Sequence, residues 1–334
     1  MIEPLRLTYA IAPPNRATPV ERRREIAAEQ SARIAGLPID ALLVYDVQDE
    51  AARTAEPRPF PFLPKVDALT YAFDALQVGS LPRIVYRAVA DQNADALCGW
   101  LESLQGRGGR AVLVGAPSRE VSAAAALTLP QAYELCRSQV PALSFGGVVI
   151  PERHQARGDE HARVWSKQQQ GCRFFVSQTV WSVAATKQLL RDLRLRAEQE
   201  GRAAPPVLFT FSPCGSAQTL EFLGWLGVEV PMQVKRELLS SRDMLARSVE
   251  LAADAFAEIH EFAEQQGLTV GCNVESVTAR AAEVDASIEL LRRVHHSSHF
   301  GWAAETRPES QKLSWRQWAV LGEQAPSVPF LIEK

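Results

Sequence analysis

The sequences Phe145-Gly-Gly-Val-Val-Ile-Pro-Glu-Arg-His154 and Cys172-Arg-Phe-Phe-Val-Ser-Gln178 each contain a short apolar run next to polar residues. The first run covers residues 144–150, contains glycine and stops at a proline, as buried strands often do. Residues 158–170, between the two runs, are polar and compatible with a helix. The pattern predicts a strand, a loop, a helix and a second strand, which is the repeating unit of parallel α/β folds.

Polar side chains follow both predicted strands. Glu152 and His154 come after the first strand, and Gln178 comes after the second. In parallel α/β folds, ligands bind at the carboxyl ends of the strands. An imidazole there can donate to an anionic oxygen or to a flavin pyrimidine, and an amide can make paired contacts with a heterocycle. The alternative interpretation is that Glu152 and His154 only satisfy the backbone of a loop.

The alternation of strands and helices extends along most of the chain. Eight strands are predicted, at about residues 5–12, 41–47, 83–89, 110–114, 144–150, 174–177, 207–211 and 269–274. Eight such units in roughly 290 residues predict a single closed (β/α)8 TIM barrel over residues 1–294. Residues 295–334 are predicted to be a C-terminal extension that packs on the barrel. Residues 48–64 carry four prolines and predict a long surface loop.

The composition excludes several classes of protein. The chain has 334 residues, 46% of them hydrophobic, and a formal net charge of −3, which gives no reason to expect a nucleic-acid partner. No apolar run reaches the roughly 18 residues of a membrane span, and the N-terminus lacks the pattern of a signal peptide. Five scattered cysteines suit a reducing compartment. We expect a cytoplasmic monomer or homo-oligomer that does not contact a membrane.

The common nucleotide-binding and hydrolase motifs are absent from the sequence. There is no G-x-G-x-x-G, no G-x-x-x-x-G-K-[ST] and no G-x-S-x-G. The run His295-His-Ser-Ser-His299 has metal-like spacing, but no carboxylate accompanies it. A polar helix end is the favoured interpretation of this run, so no metal site is predicted.

Gln218 and Phe222 are four residues apart on the helix predicted after the seventh strand, so they share one face. An amide and an aromatic ring on one face can hold a flat ligand. The alternative is a core phenylalanine beside an exposed glutamine. Lys167, taken alone, is typical of a solvated helix face.

In serial order, these segments resemble the methylenetetrahydrofolate reductase family, whose members are flavin-dependent (β/α)8 barrels. The resemblance spans roughly residues 5–294. It depends on a set of short motifs, here Tyr9-Ala-Ile-Ala-Pro-Pro14, Pro151-Glu-Arg-His154, Gly171-Cys172 through Ser177-Gln178, the pair Gln218 and Phe222, and Val228-Glu-Val-Pro231.

The resemblance implies a role for each matching residue. FAD contacts would come from His154, Glu160, Lys167 and Tyr45. The pterin and aminobenzoyl parts of a folate would be held by Gln178, Gln218 and Phe222, with Gln178 also counted among the catalytic residues. The implied chemistry is hydride transfer from NADH or NADPH to flavin, and then to the methylene carbon of the folate.

The sequence departs from the family at two carboxylates. The family's glutamate, which supplies the proton that opens the folate ring, falls on Ala10, and its aspartate after the fourth strand falls on Ala116. Losing a general acid costs roughly 10²–10⁴ in rate, so the reaction needs a substitute. Asp46, next to the end of the second strand, is the nearest candidate, and Glu50 on the following loop is another.

Three hypotheses follow. The first is a methylenetetrahydrofolate reductase-like oxidoreductase that acts through flavin. The second is a catalytically silent folate-binding protein or partner subunit, and the third is a reductase that uses the nicotinamide directly, without flavin. The first is preferred because the folate contacts match the family best.

Overall fold

Eight parallel strands close into a barrel in a computed structural model that describes residues 5–51 and 54–296. Each strand pairs with the next along the chain, and β8 pairs with β1. The strands are β1 (Leu7–Ile11), β2 (Ala41–Val44), β3 (Arg83–Ala88), β4 (Arg110–Val114), β5 (Phe145–Val149), β6 (Phe175–Thr179), β7 (Val207–Phe211) and β8 (Val270–Glu275). The predicted (β/α)8 TIM barrel is confirmed.

The helices follow the strands in the expected alternation. They are α1 (Val20–Ile34), α2 (Ala68–Thr70) with a π-helical turn over Tyr71–Ala75, α3 (Ala94–Gly106), α4 (Arg119–Ala124), α5 (Leu129–Gln139), α6 (Pro151–Arg157), α7 (Glu160–Gln169), α8 (Val183–Glu200), α9 (Ala217–Trp225), α10 (Met232–Ser240), α11 (Met244–Gln265) and α12 (Ala281–His296). Several begin at a side-chain cap. Asn93, Ser182 and Asp243 each accept a hydrogen bond from the backbone three residues later, which satisfies a donor that the helix leaves unpaired.

Two of the helices that were not expected from the sequence begin at or just after a proline. The stretch after β5 was expected to be a loop, but α6 begins at Pro151, and α10 follows Pro231 directly. Proline suits the start of a helix because its missing N–H would have no helical partner there. Since α6 exists, Glu152 and His154 are helical residues. The last barrel helix, α12, runs to His296, two residues past the predicted boundary at residue 294, and the rest of the predicted extension of residues 295–334 lies outside the described residues.

Apolar side chains fill the interior of the barrel. They come from alternate positions of neighbouring strands and include Ala10, Leu43, Ile84, Val112, Val176 and Leu208. Gly146 permits the close approach of β5 and the segment before β6, because a Cβ there would lie 2.5 Å from the carbonyl oxygen of Phe174. Within the described residues, no helix has the length and apolar character needed to cross a bilayer.

Candidate functional site

Polar side chains replace the apolar core near the carboxyl ends of the strands, where TIM barrels bind their ligands. Thr8 Oγ1 donates to Asn273 Oδ1 at 2.9 Å. The Asn273 amide in turn donates to Thr210 Oγ1 at 3.1 Å and to the Tyr45 hydroxyl at 3.2 Å. The Tyr45 ring meets the Tyr86 ring edge to face, with centroids 4.7 Å apart. These residues link β1, β2, β3, β7 and β8 in one network, which we call the mouth network.

Glu275, the last residue of β8, supplies the carboxylate of this network. Its Oε1 accepts from Thr179 Oγ1 at 2.7 Å. Burial raises the pKa of Glu275 and outweighs the lowering effect of the hydrogen bonds from Tyr45 and Thr179. A carboxyl group in this environment holds its proton to a higher pH than an exposed glutamate does. It can therefore act as a general acid.

An irregularity in β6 aims Thr179 at this carboxylate. The pairing of β6 with β7 shifts between Val176, opposite Leu208, and Thr179, opposite Thr210. Thr210 bonds the shifted segment twice, from its backbone N–H to Ser177 Oγ at 2.8 Å and from its Oγ1 to the Ser177 carbonyl at 2.8 Å. Bulges next to active sites commonly redirect a side chain in this way.

Glu275 stands beside the position where the resemblance places the family's missing glutamate. Ala10 of β1 and Glu275 of β8 are directly paired in the strand register. Neighbouring strands are about 4.8 Å apart, so the carboxylate is one strand away from the alanine. Glu275 was not among the predicted site residues because the last strand was predicted to end at residue 274. The available signal was the alternation of Asn273 and Glu275 with apolar residues, which is typical of a strand with a polar face.

The two tyrosines near Glu275 also have shifted ionisation. Burial raises the pKa of Tyr45 and of Tyr86 well above the ordinary value, and the nearby charge of Glu275 adds to both shifts. Both hydroxyls therefore stay protonated and remain available as hydrogen-bond donors. The resemblance assigned Tyr45 to a flavin, and that assignment stays a prediction.

Asp46, the substitute acid suggested by the sequence, faces a different place. It lines a cleft of about 400 Å³ beside the mouth, with Arg16, Lys65 and Arg87 among the other lining residues. Its Oδ2 accepts from the backbone N–H of Ala88 at 3.0 Å and lies 3.8 Å from Arg87 Nη1. Burial raises the pKa of Asp46, while the bond from Ala88 and the charge of Arg87 lower it. The cleft therefore mixes both signs of charge, since Asp49, Asp67 and Asp91 line it together with Asp46 and the three cations.

The three predicted folate contacts all reach helix α9. Gln178 Nε2 donates to the carbonyl of Leu226, just after the helix, at 3.0 Å. Gln218 is exposed, and its Nε2 lies 3.4 Å from the carbonyl of Pro59, while its Oε1 accepts from Arg280 at 2.5 Å. The Phe222 ring is buried and meets the Phe60 ring edge to face at 5.2 Å. Gln218 and Phe222, both on α9, thus contact the 48–64 loop, whereas Gln178 of β6 contacts the other end of the helix.

The loop is held over α9 by one arginine and several aromatic rings. The Arg58 guanidinium lies 4.8 Å from the Trp225 ring centroid and 5.3 Å from that of Phe222. Trp225 Nε1 donates to the carbonyl of Glu56 at 2.9 Å. A cation–π contact adds roughly 0.5–1 kcal/mol at an exposed site and about 2 kcal/mol when it is desolvated, and the Arg58 side chain is only 16% exposed. These contacts hold the described part of the loop as a cover on the face where the resemblance places a folate.

The residues that the resemblance assigns to FAD, apart from Tyr45, lie in the helical layer. His154 is fully buried, and its Nε2 is 2.8 Å from Asp192 Oδ2 on α8. Glu160 accepts two bonds from Arg153 at 2.6 Å and one from the Ile150 backbone at 3.0 Å. Because neither side chain is free at the mouth, these contacts do not fit a flavin. FAD binding stays a prediction, and the positions of His154 and Glu160 do not support it.

Lys167, the remaining flavin candidate, also points into the protein. Its Nζ donates to the carbonyl of Val148 on β5 at 2.6 Å, and burial lowers its pKa to about 8. Because this ammonium group is buried against β5, the interpretation of Lys167 as a solvated residue is wrong.

Glu152 accepts hydrogen bonds from the backbone N–H groups of Trp181 and Ser182 at 3.2 and 3.4 Å. The alternative that Glu152 satisfies loop backbone is therefore confirmed.

Together, the fold and the polar network define a class: a (β/α)8 barrel protein with a protonatable carboxyl group at the mouth of its barrel. A solved structure of an uncharacterized protein from Clostridium thermocellum, which binds two copies of 5-methyl-5,6,7,8-tetrahydrofolic acid, is similar to the chain. The identity is 35%, with 86% of this chain and 94% of that chain covered and a TM-score of 0.76. The chain belongs to the family of this Clostridium thermocellum protein.

Other comparisons add little. The chain matches 2,3-dimethylmalate lyase, of the PEP mutase/isocitrate lyase superfamily, at 11% identity, and an oxaloacetate acetylhydrolase at 13%. Both matches cover 96% of this chain and 94% of the other, with TM-scores of 0.42, too low to bear on function. No family model and no curated protein matches the chain. Membership of the methylenetetrahydrofolate reductase family itself stays a prediction.

Proposed function

We propose that the chain binds a reduced folate at the mouth of its barrel and reduces a folate-bound methylene group, with Glu275 as the general acid. Folate binding is supported by the family relative, which binds 5-methyltetrahydrofolate. The observation that carries the catalytic part is the pairing of Glu275 with Ala10. The acid that the resemblance requires on β1 has a counterpart on β8, at the same level of the barrel.

The proposed reaction balances with a reduced nicotinamide as the second substrate. The methylene carbon bridges two nitrogens of the folate, and the bond to the outer nitrogen breaks. Glu275 gives its proton to that nitrogen, and the nicotinamide gives a hydride to the carbon. The products are 5-methyltetrahydrofolate and the oxidised nicotinamide. The raised pKa of Glu275 suits this role, because the group must be protonated before the bond breaks.

Direct hydride transfer is favoured over a flavin-mediated route. Three of the four residues that the resemblance assigns to FAD are engaged within the helical layer, by Asp192, Arg153 and the carbonyl of Val148. A nicotinamide dinucleotide would enter the cleft beside the mouth, where Arg16, Lys65 and Arg87 would face its phosphates, although four aspartates line the same cleft: Asp46, Asp49, Asp67 and Asp91. The preference between NADH and NADPH stays open in this proposal.

A second candidate is a folate-binding protein without catalysis. It is favoured by Ala10 and Ala116, which remove both of the family's carboxylates. In this case the mouth network would serve only to orient the pterin ring. A role as a partner subunit belongs to the same candidate.

One set of measurements separates these functions. The purified full-length protein is titrated calorimetrically with 5-methyltetrahydrofolate, and oxidation of NADH and NADPH is followed with methylenetetrahydrofolate. Binding with nicotinamide oxidation by a colourless preparation supports the proposal. A yellow, flavin-containing preparation would restore the flavin route, binding without oxidation would leave the silent folate-binding protein, and absence of binding would refute both.

A further inference from the structure

Three potential metal ligands converge on the outer layer of the barrel. His154 of α6, His161 of α7 and Asp192 of α8 each offer one ligand atom, and these atoms lie within 4.8 Å of one another. We infer that the three residues bind one divalent transition-metal ion of the zinc type. The inference is independent of the proposed folate chemistry.

The local sequence explains how the two imidazoles meet. Gly158 ends α6 with a φ of 70°, a conformation that favours glycine, and α7 begins two residues later. The change of direction brings His161, in the first turn of α7, against His154. Their ring centroids are 5.2 Å apart, and the ring planes make an angle of 79°.

Asp192 completes the cluster from a third helix. Its Oδ2 lies 2.8 Å from His154 Nε2. The His154 side chain is fully buried, whereas the Asp192 side chain is 34% exposed. The carboxylate therefore connects the buried imidazole to solvent, and an ion can enter from that side.

Two buried nitrogens lack a partner at this place. Within the described residues, neither Nδ1 of His154 nor Nδ1 of His161 makes a hydrogen bond. A buried polar atom without a partner is unfavourable, so an ion bound to one of these nitrogens would remove that cost. A bound metal would take one nitrogen of each ring and fix the tautomer of both.

The ligand set selects the kind of ion. Two imidazoles and one carboxylate are ligands that zinc and its neighbours in the first transition row prefer, with water at the fourth position. Donors bound to zinc at about 2.0–2.1 Å in a tetrahedron lie about 3.3 Å apart. Side-chain rotation of the partly exposed His161 and Asp192 closes the remaining gap. Glu160 is already held by Arg153 and the Ile150 backbone, so it does not add to the set.

The site is separate from the mouth of the barrel. Helix α8 begins at Val183, just after the carboxyl end of β6, and Asp192 is nine residues further along. At 1.5 Å per residue, that is about 14 Å down the helix. An ion there would join α6, α7 and α8 and would have a structural role.

The test uses the full-length protein after removal of metals with a chelator. Calorimetric titration with zinc chloride is expected to show one tight site per chain. Cobalt chloride is expected to give visible d–d absorption typical of a tetrahedral site, and zinc is expected to raise the melting temperature. His161→Ala and Asp192→Asn are each expected to weaken zinc binding by about 100-fold or more, since even loss of an outer-shell partner can cost that much. Asp192→Asn preserves the shape of the side chain and covers the case in which His161→Ala fails to fold.

Two controls identify other sources of binding. His260→Ala removes a histidine whose Nδ1 lies 3.7 Å from a Glu264 oxygen on α11, and zinc binding should not change. A variant with His295, His296 and His299 replaced by alanine removes the histidine run near the end of the chain and should also keep the site. The inference is overturned if the protein does not bind zinc, if His161→Ala and Asp192→Asn bind it as the wild type does, or if only the triple variant loses it.

Discussion

Replacing Glu152 by glutamine should change how the stability of the barrel depends on pH. Glu152 is 4% exposed on α6, and its Oε1 accepts hydrogen bonds from the backbone of Trp181 and Ser182. Burial raises its pKa from the ordinary 4.5 to about 7, although these hydrogen bonds oppose the shift. The folded protein therefore binds a proton at pH values where the unfolded chain has lost it.

The sign and size of the effect follow from this difference. Below pH 4.5 both states are protonated, and the stabilising contribution of the neutral side chain is fully present. Between pH 4.5 and about 7 the free energy of unfolding falls as pH rises, and above that range it levels off. A pKa displaced from 4.5 to about 7 corresponds to a loss of about 3 kcal/mol, at 1.36 kcal/mol per pH unit. Glutamine keeps the acceptor oxygen and does not titrate, so Glu152→Gln should not show this loss.

Urea unfolding of both proteins between pH 4 and 9 measures the difference directly. The free energy of unfolding of Glu152→Gln, relative to that of the wild type, should rise by up to about 3 kcal/mol between pH 4.5 and about 7 and then stay constant. Glu221→Gln, at an exposed position of α9, is the matched control and should follow the wild type. If the difference in the free energy of unfolding between Glu152→Gln and the wild type is the same at every pH, the reasoning is refuted.

Three further predictions concern the mouth, the barrel wall and the loop. Glu275→Gln should lower the proposed reductase turnover by roughly 10²–10⁴, with little change in 5-methyltetrahydrofolate affinity. Turnover of the wild type should fall as the pH rises through the raised pKa of Glu275. An unchanged rate of Glu275→Gln in steady-state assays would exclude Glu275 as the acid. Gly146→Ala should lower the free energy of unfolding, measured in urea, by about 1–3 kcal/mol, because the added carbon meets a backbone oxygen. The control Gly99→Ala, at an exposed helical position, should raise it by up to about 1 kcal/mol. Equal effects of the two substitutions would contradict the close approach of the strands. Arg58→Ala should release the loop from α9. The release should appear as a red shift of tryptophan fluorescence and as faster proteolysis of the loop. If the loop of the variant resists protease as well as the wild-type loop does, its attachment does not depend on Arg58.

Several sequence-based expectations succeeded because they depended on local patterns. The apolar runs and the helical segments between them were sufficient to predict eight β/α units and a closed barrel. Gln218 and Phe222 share one helix as predicted, but Phe222 is buried and Gln218 is exposed, as in the alternative of a core phenylalanine beside an exposed glutamine. Helix α6 was missed because Pro151 was taken as the end of a strand followed by a loop, although proline suits the first turn of a helix.

The functional assignments of His154, Glu160 and Lys167 depended on packing between elements, which spacing does not specify. Their position after β5 and on the next helix is compatible with either the mouth or the helical layer. Hydrogen bonds to Asp192, Arg153 and the Val148 carbonyl place them in the layer.

The sequence by itself determined the barrel and the set of short motifs along it, because hydrophobic periodicity and turn residues act over a few positions at a time. Only the tertiary structure decided which acid stands at the mouth. Ala10 and Glu275 are far apart in the chain and become neighbours when β8 pairs with β1 and closes the ring. That pairing depends on the register of all eight strands, a property of the whole fold that no local segment contains.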